Sequence, residues 1–412
     1  MRFVVDGARL TRELEALAAI SAASAPVVTR IVFTEADLRA RGYVKALCVE
    51  AGLAVREDAV GNTFARLAGT EPGLAPVGTG SHIDAIPNAG AYDGTVGVLG
   101  GLEAIRAIAR SGVRPRRAID LIVFTSEEPT RFGIGCLGSR LMAGALDASA
   151  GSRLAGSDGL SLDDARAHAG FAGTLSSVRL PADAYAAFVE LHIEQGPVLE
   201  RLGIGIGIVT AIAAPASLRV AIDGEGGHAG TVLMRDRHDA FLAGAEIALA
   251  GEAAARASGS VDTVATVGVC EVFPGAVNSV PSRARLEVDV RDIDERRRDA
   301  VVGAIARACD EVAARRGVTV RLEPINADPP ATSAPWIVDA IAEACQARDV
   351  PHERMISRAY HDSLFMSRVA PMGMIFIPSR GGVSHRPDEF SSPDAIAQGA
   401  GVLADTLARL AS

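Results

Sequence analysis

Two adjacent glutamates, Glu127 and Glu128, follow an apolar run over residues 118–125. Neighbouring carboxylates disfavour each other's ionised forms unless something positive holds them. No Lys or Arg adjoins the pair before Arg131, so a metal ion is the candidate counter-charge. The chain offers matching ligands in four other places: Gly80-Ser81-His82-Ile83-Asp84, Tyr92-Asp93-Gly94, Glu190-Leu191-His192-Ile193-Glu194 and Ser384-His385-Arg386-Pro387. Together His82, Asp93, Glu128, His192 and His385 form a mixed imidazole and carboxylate set. Such a set suits two borderline divalent ions sharing one carboxylate, with Mn or Zn foremost and Co or Ni also compatible. Asp84 is placed to accept the free ring N–H of His82 and fix its tautomer. That leaves Glu127 free to act as a base. Each histidine alone reads more readily as structural, and a lone Glu-Glu as a solvated face. The joint pattern carries the reading.

These residues converge only if strands bring them to one rim. Each histidine sits at or just beyond an apolar strand-like run. In an open parallel sheet, strand carboxyl ends share one edge. Up to about residue 211 the chain alternates strand-like runs (77–86, 118–125, 188–193) with helical patterns, notably 97–111, where Val98, Leu102, Ile105 and Ile108 recur on one face. Residues 148–177 read as a helical excursion with loops. From 212 the texture changes. Strands at 217–223, 261–272, 283–290 and 318–323 and helices at 238–256 and 294–316 give the order βαββαβ. Residues 326–330 read as a hinge, followed by a strand at 372–378 and a helix at 393–410. The expectation is an α/β catalytic domain, 1–211 and 328–412, with a mostly parallel sheet flanked by helices. A ferredoxin-like α+β domain, 212–327, is inserted in it.

Composition agrees with a large soluble core. The 412 residues are 49% hydrophobic, with net charge -9. Lys and Arg form no basic stripe, so neither nucleic acid nor an anionic membrane is an expected partner. The first residues carry Asp6, Glu13 and Glu15 rather than a signal core. The five scattered cysteines lack a C-x-x-C. Reduced thiols in a cytoplasmic protein are expected.

Taken in order, these motifs, together with Glu127-Glu128-Pro129-Thr130-Arg131-Phe132-Gly133 and Gly227-His228-Ala229-Gly230, resemble the dinuclear-metal amidases of the hydantoinase/carbamoylase family. The resemblance covers nearly the whole chain. Residues 209–218 and 357–366 look most like the subgroup acting on ureidoglycolate. The resemblance implies hydrolysis of a ureido or carbamoyl C–N bond, a metallopeptidase-like fold, and an inserted lid that forms a homodimer. It implies His228 as oxyanion donor and a small ureido-carboxylate as substrate. Arg291 reads on spacing as an ion pair with a nearby aspartate; the resemblance makes it a carboxylate fork. Asn278 and Gln195 are amides suited to a ureido or carboxylate group, with loop capping as the alternative. Tyr360 and His361 are candidate substrate contacts, with packing as theirs. Alternatives to ureidoglycolate are N-carbamoyl-L-amino acids, allantoate, a peptide, or a non-catalytic ligand-binding module.

Overall fold

The computed structural model describes residues 2–156 and 158–412. Met1 and Ser157, the latter inside the expected helical excursion, lie outside the described residues. The chain forms two compact units. One comprises the chain up to Thr210, Thr332–Ser357 and His361–Ser412; the other comprises Ala211–Ala331 with Arg358–Tyr360.

The first unit is built on a nine-stranded sheet. At its centre, Met372–Ile377, Ala187–Ile193, Val77–His82 and Ile119–Phe124 run parallel to their neighbours. Every residue of these four strands is buried. Three of them are mainly apolar rather than alternating, as expected where helices cover both faces of a parallel sheet; Val77–His82 uses small and polar residues instead. Antiparallel strands finish the edges, Ile206–Ile212 on one side and Thr63–Leu67 with Ala54–Glu57 on the other. Ala54–Glu57 carries no fully buried residue, and its polar sequence gives little strand signal.

The expected strand over 77–86 ends at His82. The chain then turns and forms Ala85–Ala89, which pairs with Val28–Arg30 as a separate ribbon. Arg30 explains the bend. It is fully buried and donates to the carbonyls of Leu17, Ile20 and Ile83. A guanidinium that donates to carbonyls of two main-chain segments fixes the chain between His82 and Asp84.

The second unit is a four-stranded antiparallel sheet in the order Val264–Phe273, Arg283–Asp292, Ala214–Asp223, Thr319–Ala327. The helices Ala240–Ala257 and Glu295–Arg316 pack on it. In chain order the strands sit 2-3-1-4, the ferredoxin-like arrangement. The two inner strands alternate buried and half-buried positions, as a sheet covered on one face should. The expected hinge at 326–330 starts later than the sequence implies. Asn326 and Ala327 still belong to a strand, and Asn326 Oδ1 accepts the Ser217 N–H at 3.1 Å. Residues 358–360, far away in sequence, also belong to this unit. Arg358 pairs with Asp262 at 2.5 Å, its carbonyl accepts from Arg291, and the Tyr360 hydroxyl donates to Asp328. Among the described residues no helix is long and apolar enough to cross a membrane.

The helix Thr95–Arg110 lies against the sheet closely enough to need small residues. A Cβ at Gly97 would stand 2.4 Å from the Leu191 carbonyl oxygen and 2.6 Å from Ser81 Cβ. Alanine gains about 1 kcal/mol of helix propensity over glycine. Here the obstruction includes backbone and cannot rotate away, so overpacking of about 1–3 kcal/mol prevails. Gly97→Ala therefore lowers the denaturant midpoint; a raised midpoint would show that propensity wins.

Candidate metal centre

The parallel strands deliver the expected residues to one rim. His82 closes its strand, His192 is the penultimate residue of Ala187–Ile193, and Glu127 and Glu128 follow Ile119–Phe124. His385 lies in the loop after Met372–Ile377, and Asp93 just precedes the helix Thr95–Arg110. The rim is backbone-strained. Ser126, Cys136, Gln195 and His385 all have positive φ without being glycine, a conformation costing about 1–2 kcal/mol for most L-residues. Such residues gather where surrounding structure imposes them.

Asp93 sits at the middle. Its Oδ1 lies 3.4 Å from His82 Nε2 and 3.2 Å from His192 Nε2. Its Oδ2 lies 3.3 Å from His385 Nε2, which is 3.2 Å from Glu128 Oε1. One carboxylate thus joins two sets, His82–Asp93–His192 and Asp93–Glu128–His385. Ligands about 2.1 Å from one ion and tetrahedrally disposed are about 3.4 Å apart. The observed separations match that geometry, so the residues fit two divalent ions. The sequence left open which histidine groups with which; the geometry pairs His82 with His192 and His385 with Glu128.

Ring tautomers agree with metal binding. His82 Nδ1 lies 3.0 Å from the Asp84 carbonyl oxygen, and His192 Nδ1 lies 2.9 Å from the Ile193 carbonyl oxygen. Each Nδ1–H therefore donates, so that in the neutral ring Nε2 is the electron-pair donor. The Gly94 N–H points at His192 Nε2 at 3.2 Å, as expected of that lone pair. Gly94 is confined here. Its φ is +66°, and a Cβ would stand 2.5 Å from the His82 ring.

Asp84 acts otherwise than expected. Its main-chain carbonyl, not its side chain, is the hydrogen-bond acceptor for His82; the carboxylate oxygen is 3.6 Å away. The carboxylate instead accepts the N–H of Glu127 at 3.2 Å and of Glu128 at 3.0 Å. It therefore fixes the backbone of the glutamate pair.

Charge is lopsided. Burial, which disfavours the imidazolium, is outweighed at His82 by Glu127 and Asp93, so its pKa is raised well above the usual value. Hydrogen bonds to the Asp93 and Glu128 carboxylates raise His385 to about 11. Burial also favours a neutral Asp93, yet hydrogen bonds from His192, His385 and His82 hold its carboxyl well below the carboxylate range. The centre demands positive charge, supplied by protons or by metal ions. Glu127 is raised well above the usual range by burial, with Glu128 and Asp362 adding to it against the opposing pull of His82. Its Oε2 lies 3.8 Å from His82 Nε2, and Oε1 accepts only a weak S–H bond from Cys136 at 3.4 Å.

The remaining predicted residues divide between the units. Gln195 Nε2 donates to Asp93 Oδ2 at 2.7 Å, and its Oε1 is buried without a hydrogen-bond partner. His361 is buried, edge-on to the His192 ring at 4.6 Å, with Nε2 bonded to Ser357 Oγ at 2.8 Å. His361 thus packs against the ring of His192. In the second unit His228 is exposed, and its Nδ1 accepts the Gly230 N–H at 3.1 Å. Nε2 then carries the proton. Asn278 is exposed on a loop whose carbonyl accepts from Ala229. Arg291 is forked onto Asp289 at 2.7 and 3.3 Å, the ion pair its spacing implied. Tyr360 bonds Asp328.

Two features escaped the sequence. Glu190, fully buried, accepts the Ser81 hydroxyl at 2.7 Å and the Ser363 hydroxyl at 2.6 Å, tying the His82 and His192 strands to the 361–366 segment. Glu389, 5% exposed, lies against the Asp93 loop. Its only sequence signal is its place four residues after His385.

Known proteins resemble this chain over nearly its whole length. The profile of peptidase family M20/M25/M40 matches residues 78–409. A ureidoglycolate hydrolase of Arabidopsis thaliana is 53% identical over 98% of this chain and 87% of its own length. One of Oryza sativa subsp. japonica is 52% identical over 99% of this chain and 85% of its own. The solved structure of AtUAH in complex with glyoxylate superposes with a TM-score of 0.91 at 52% identity, covering 100% of this chain and 99% of that one. With these matches spanning nearly all its length and the ligand motifs in place, the chain belongs to peptidase family M20/M25/M40.

Proposed function

We propose that this protein is a metal-dependent amidohydrolase that cleaves the ureido C–N bond of ureidoglycolate, releasing ammonia and carbon dioxide. The observation that carries the chemistry is Asp93 lying between two ligand sets with Glu127 beside them. The likeness to ureidoglycolate hydrolases at 52% and 53% identity supports the substrate. His82, Asp93 and His192 would hold one divalent ion, and Asp93, Glu128 and His385 the other, with Mn or Zn favoured. Bound there, such ions supply Lewis-acid polarisation of the carbonyl and bring a water's pKa toward neutrality.

The chain's own groups do the proton work. Glu127 takes a proton from the attacking water and returns one to the leaving nitrogen. The weak Cys136 donor leaves its Oε1 available for this. His228, whose Nδ1 is occupied by Gly230, presents Nε2–H as donor to the carbonyl oxygen as negative charge develops. Gln195 Oε1, buried and unpartnered, is an acceptor for a ureido N–H. Arg291 and Asn278 are proposed for the substrate carboxylate, with Tyr360 nearby in the same unit. His361 is proposed to act through His192. Positioned acid–base catalysis contributes on the order of 10²–10⁴ in rate. Glu127→Gln should therefore lose at least about 100-fold in kcat while retaining both metal ions by elemental analysis. Near-normal turnover at full metal content removes Glu127 as the base.

The substrate is tested by ammonia release from ureidoglycolate, allantoate and N-carbamoyl-L-amino acids, after metal-free protein is reloaded with Mn or Zn. Fastest turnover of ureidoglycolate supports the proposal. Preference for a carbamoyl amino acid or allantoate moves the substrate within the class, and no release from any overturns the function.

We also propose that the inserted unit serves as lid and forms a homodimer. Its edge strand Val264–Phe273 has an unpaired side, and Leu249 on Ala240–Ala257 is 64% exposed. An open edge beside an exposed apolar side chain is a template for pairing. Sedimentation should give a dimer, and Leu249→Asp combined with Val267→Lys should give a monomer. A monomeric parent protein at micromolar concentration ends this reading.

A further inference from the structure

The carboxylate of Glu389 connects two loops that carry the second ligand set. Its Oε1 accepts the N–H of Tyr92 at 2.8 Å and of Asp93 at 3.1 Å. Its Oε2 lies 3.0 Å from the hydroxyl of Ser384, the residue before His385. That same hydroxyl lies 2.8 Å from Asp93 Oδ2. The four groups close a ring: Glu389 to the Asp93 backbone, the Asp93 carboxylate to Ser384, and Ser384 back to Glu389.

Packing holds Glu389 there. A Cβ at Gly90 would stand 2.3 Å from Glu389 Cβ, so the Asp93 loop approaches Glu389 closely because residue 90 has no side chain. The segment also closes on itself, the Glu389 N–H donating to the Arg386 carbonyl. A buried carboxylate that accepts two backbone N–H groups and faces a hydroxyl has its acceptor capacity used internally. It is not poised to bind an ion.

The two ligand sets need this support unequally. The side chains of His82 and His192 are 3% and 1% exposed, and each ring is locked by a main-chain carbonyl. The side chain of His385 is 46% exposed and its residue has φ +59°. Fewer packing contacts hold His385, so its position depends on the loop that Ser384 ties down. We infer that Glu389 is a positioning residue that sets the affinity of the Asp93–Glu128–His385 site by clamping the Asp93 and His385 loops together.

This rests on the dinuclear reading of the centre, and the test separates the two. Metal-free protein is titrated with Mn²⁺ alone, and separately with Zn²⁺, by calorimetry, with stoichiometry checked by elemental analysis. The parent protein should bind two ions in two steps. Loss of an outer partner of a ligand typically weakens binding roughly 10- to 100-fold. In Glu389→Ala that loss should fall on the second step, with the first step changed by less than about threefold. Glu389→Gln keeps Oε1 for the two N–H groups and should recover most of the affinity. The thermal midpoint of the metal-free protein, which a merely structural role would lower, should stay within a few degrees.

Wild-type affinity for both ions in Glu389→Ala overturns the inference, as does equal weakening of both steps with a lowered midpoint. A parent protein that binds a single ion overturns the dinuclear reading instead. If Glu389→Ala does not fold, Ser384→Ala decides. It breaks the link to Asp93 Oδ2 without touching the backbone anchor, and an unchanged second step there overturns the inference.

Discussion

The arrangement depends on one carboxylate being shared. Asp93 turns one oxygen to His82 and His192 and the other toward His385, which Glu128 also contacts. Burying several carboxylates within a few ångströms is unfavourable unless cations or donors compensate them. That requirement explains why three imidazoles converge here. Two of them, His82 and His192, sit at the ends of buried parallel strands, whereas His385 lies in a loop. A strand end fully buried on both sides has little freedom, so the donor atoms stay where an ion needs them.

Beneath the ligands the fold uses one device three times. Asp84 accepts the backbone N–H groups of Glu127 and Glu128. Glu389 accepts those of Tyr92 and Asp93. Glu190 accepts the Ser81 hydroxyl and both donors of Ser363. In each case a buried acid binds the segment that carries a ligand or its neighbour, rather than an ion. Loop backbones at a sheet rim have N–H groups that no strand satisfies. A carboxylate that takes two of them fixes the peptide planes, and so the direction of the side chains. The glutamate pair gains most. With the backbone of both residues held by Asp84, Glu128 reaches toward His385 while Glu127 leans toward His82.

The candidate ligands share a local signal. An apolar run followed by His, or by Glu-Glu, marks a buried strand and its rim, and the four parallel strands were found this way. The ferredoxin-like unit was legible from strand and helix order. Other features had no local signature. Ala54–Glu57 is polar and exposed. The strand expected over 77–86 breaks after His82 because Arg30, some fifty residues earlier, takes the Ile83 carbonyl. Residues 358–360 join the inserted unit through Arg291, Asp262 and Asp328, all distant in sequence. Asp84 was chosen for the correct neighbourhood but for the wrong atom. From sequence a side-chain acceptor is visible, whereas a main-chain carbonyl available to His82 is a matter of how the chain turns.

The division of tasks proposed for Glu127 and Glu128 would account for their adjacency. A base works best when its pKa lies near the operating pH and its lone pairs are not already taken. Burial and Glu128 raise Glu127, while the imidazole of His82 pulls the other way. Cys136 donates only weakly to Glu127; a hydroxyl in its place would form a stronger bond and hold the base more firmly in its charged form. Glu128 faces His385 instead, its Oε1 3.2 Å from that ring's Nε2. Two chemically identical side chains, one residue apart, are therefore made different by what each faces. The like-charge repulsion from Glu128 helps to raise Glu127, the residue proposed as the base.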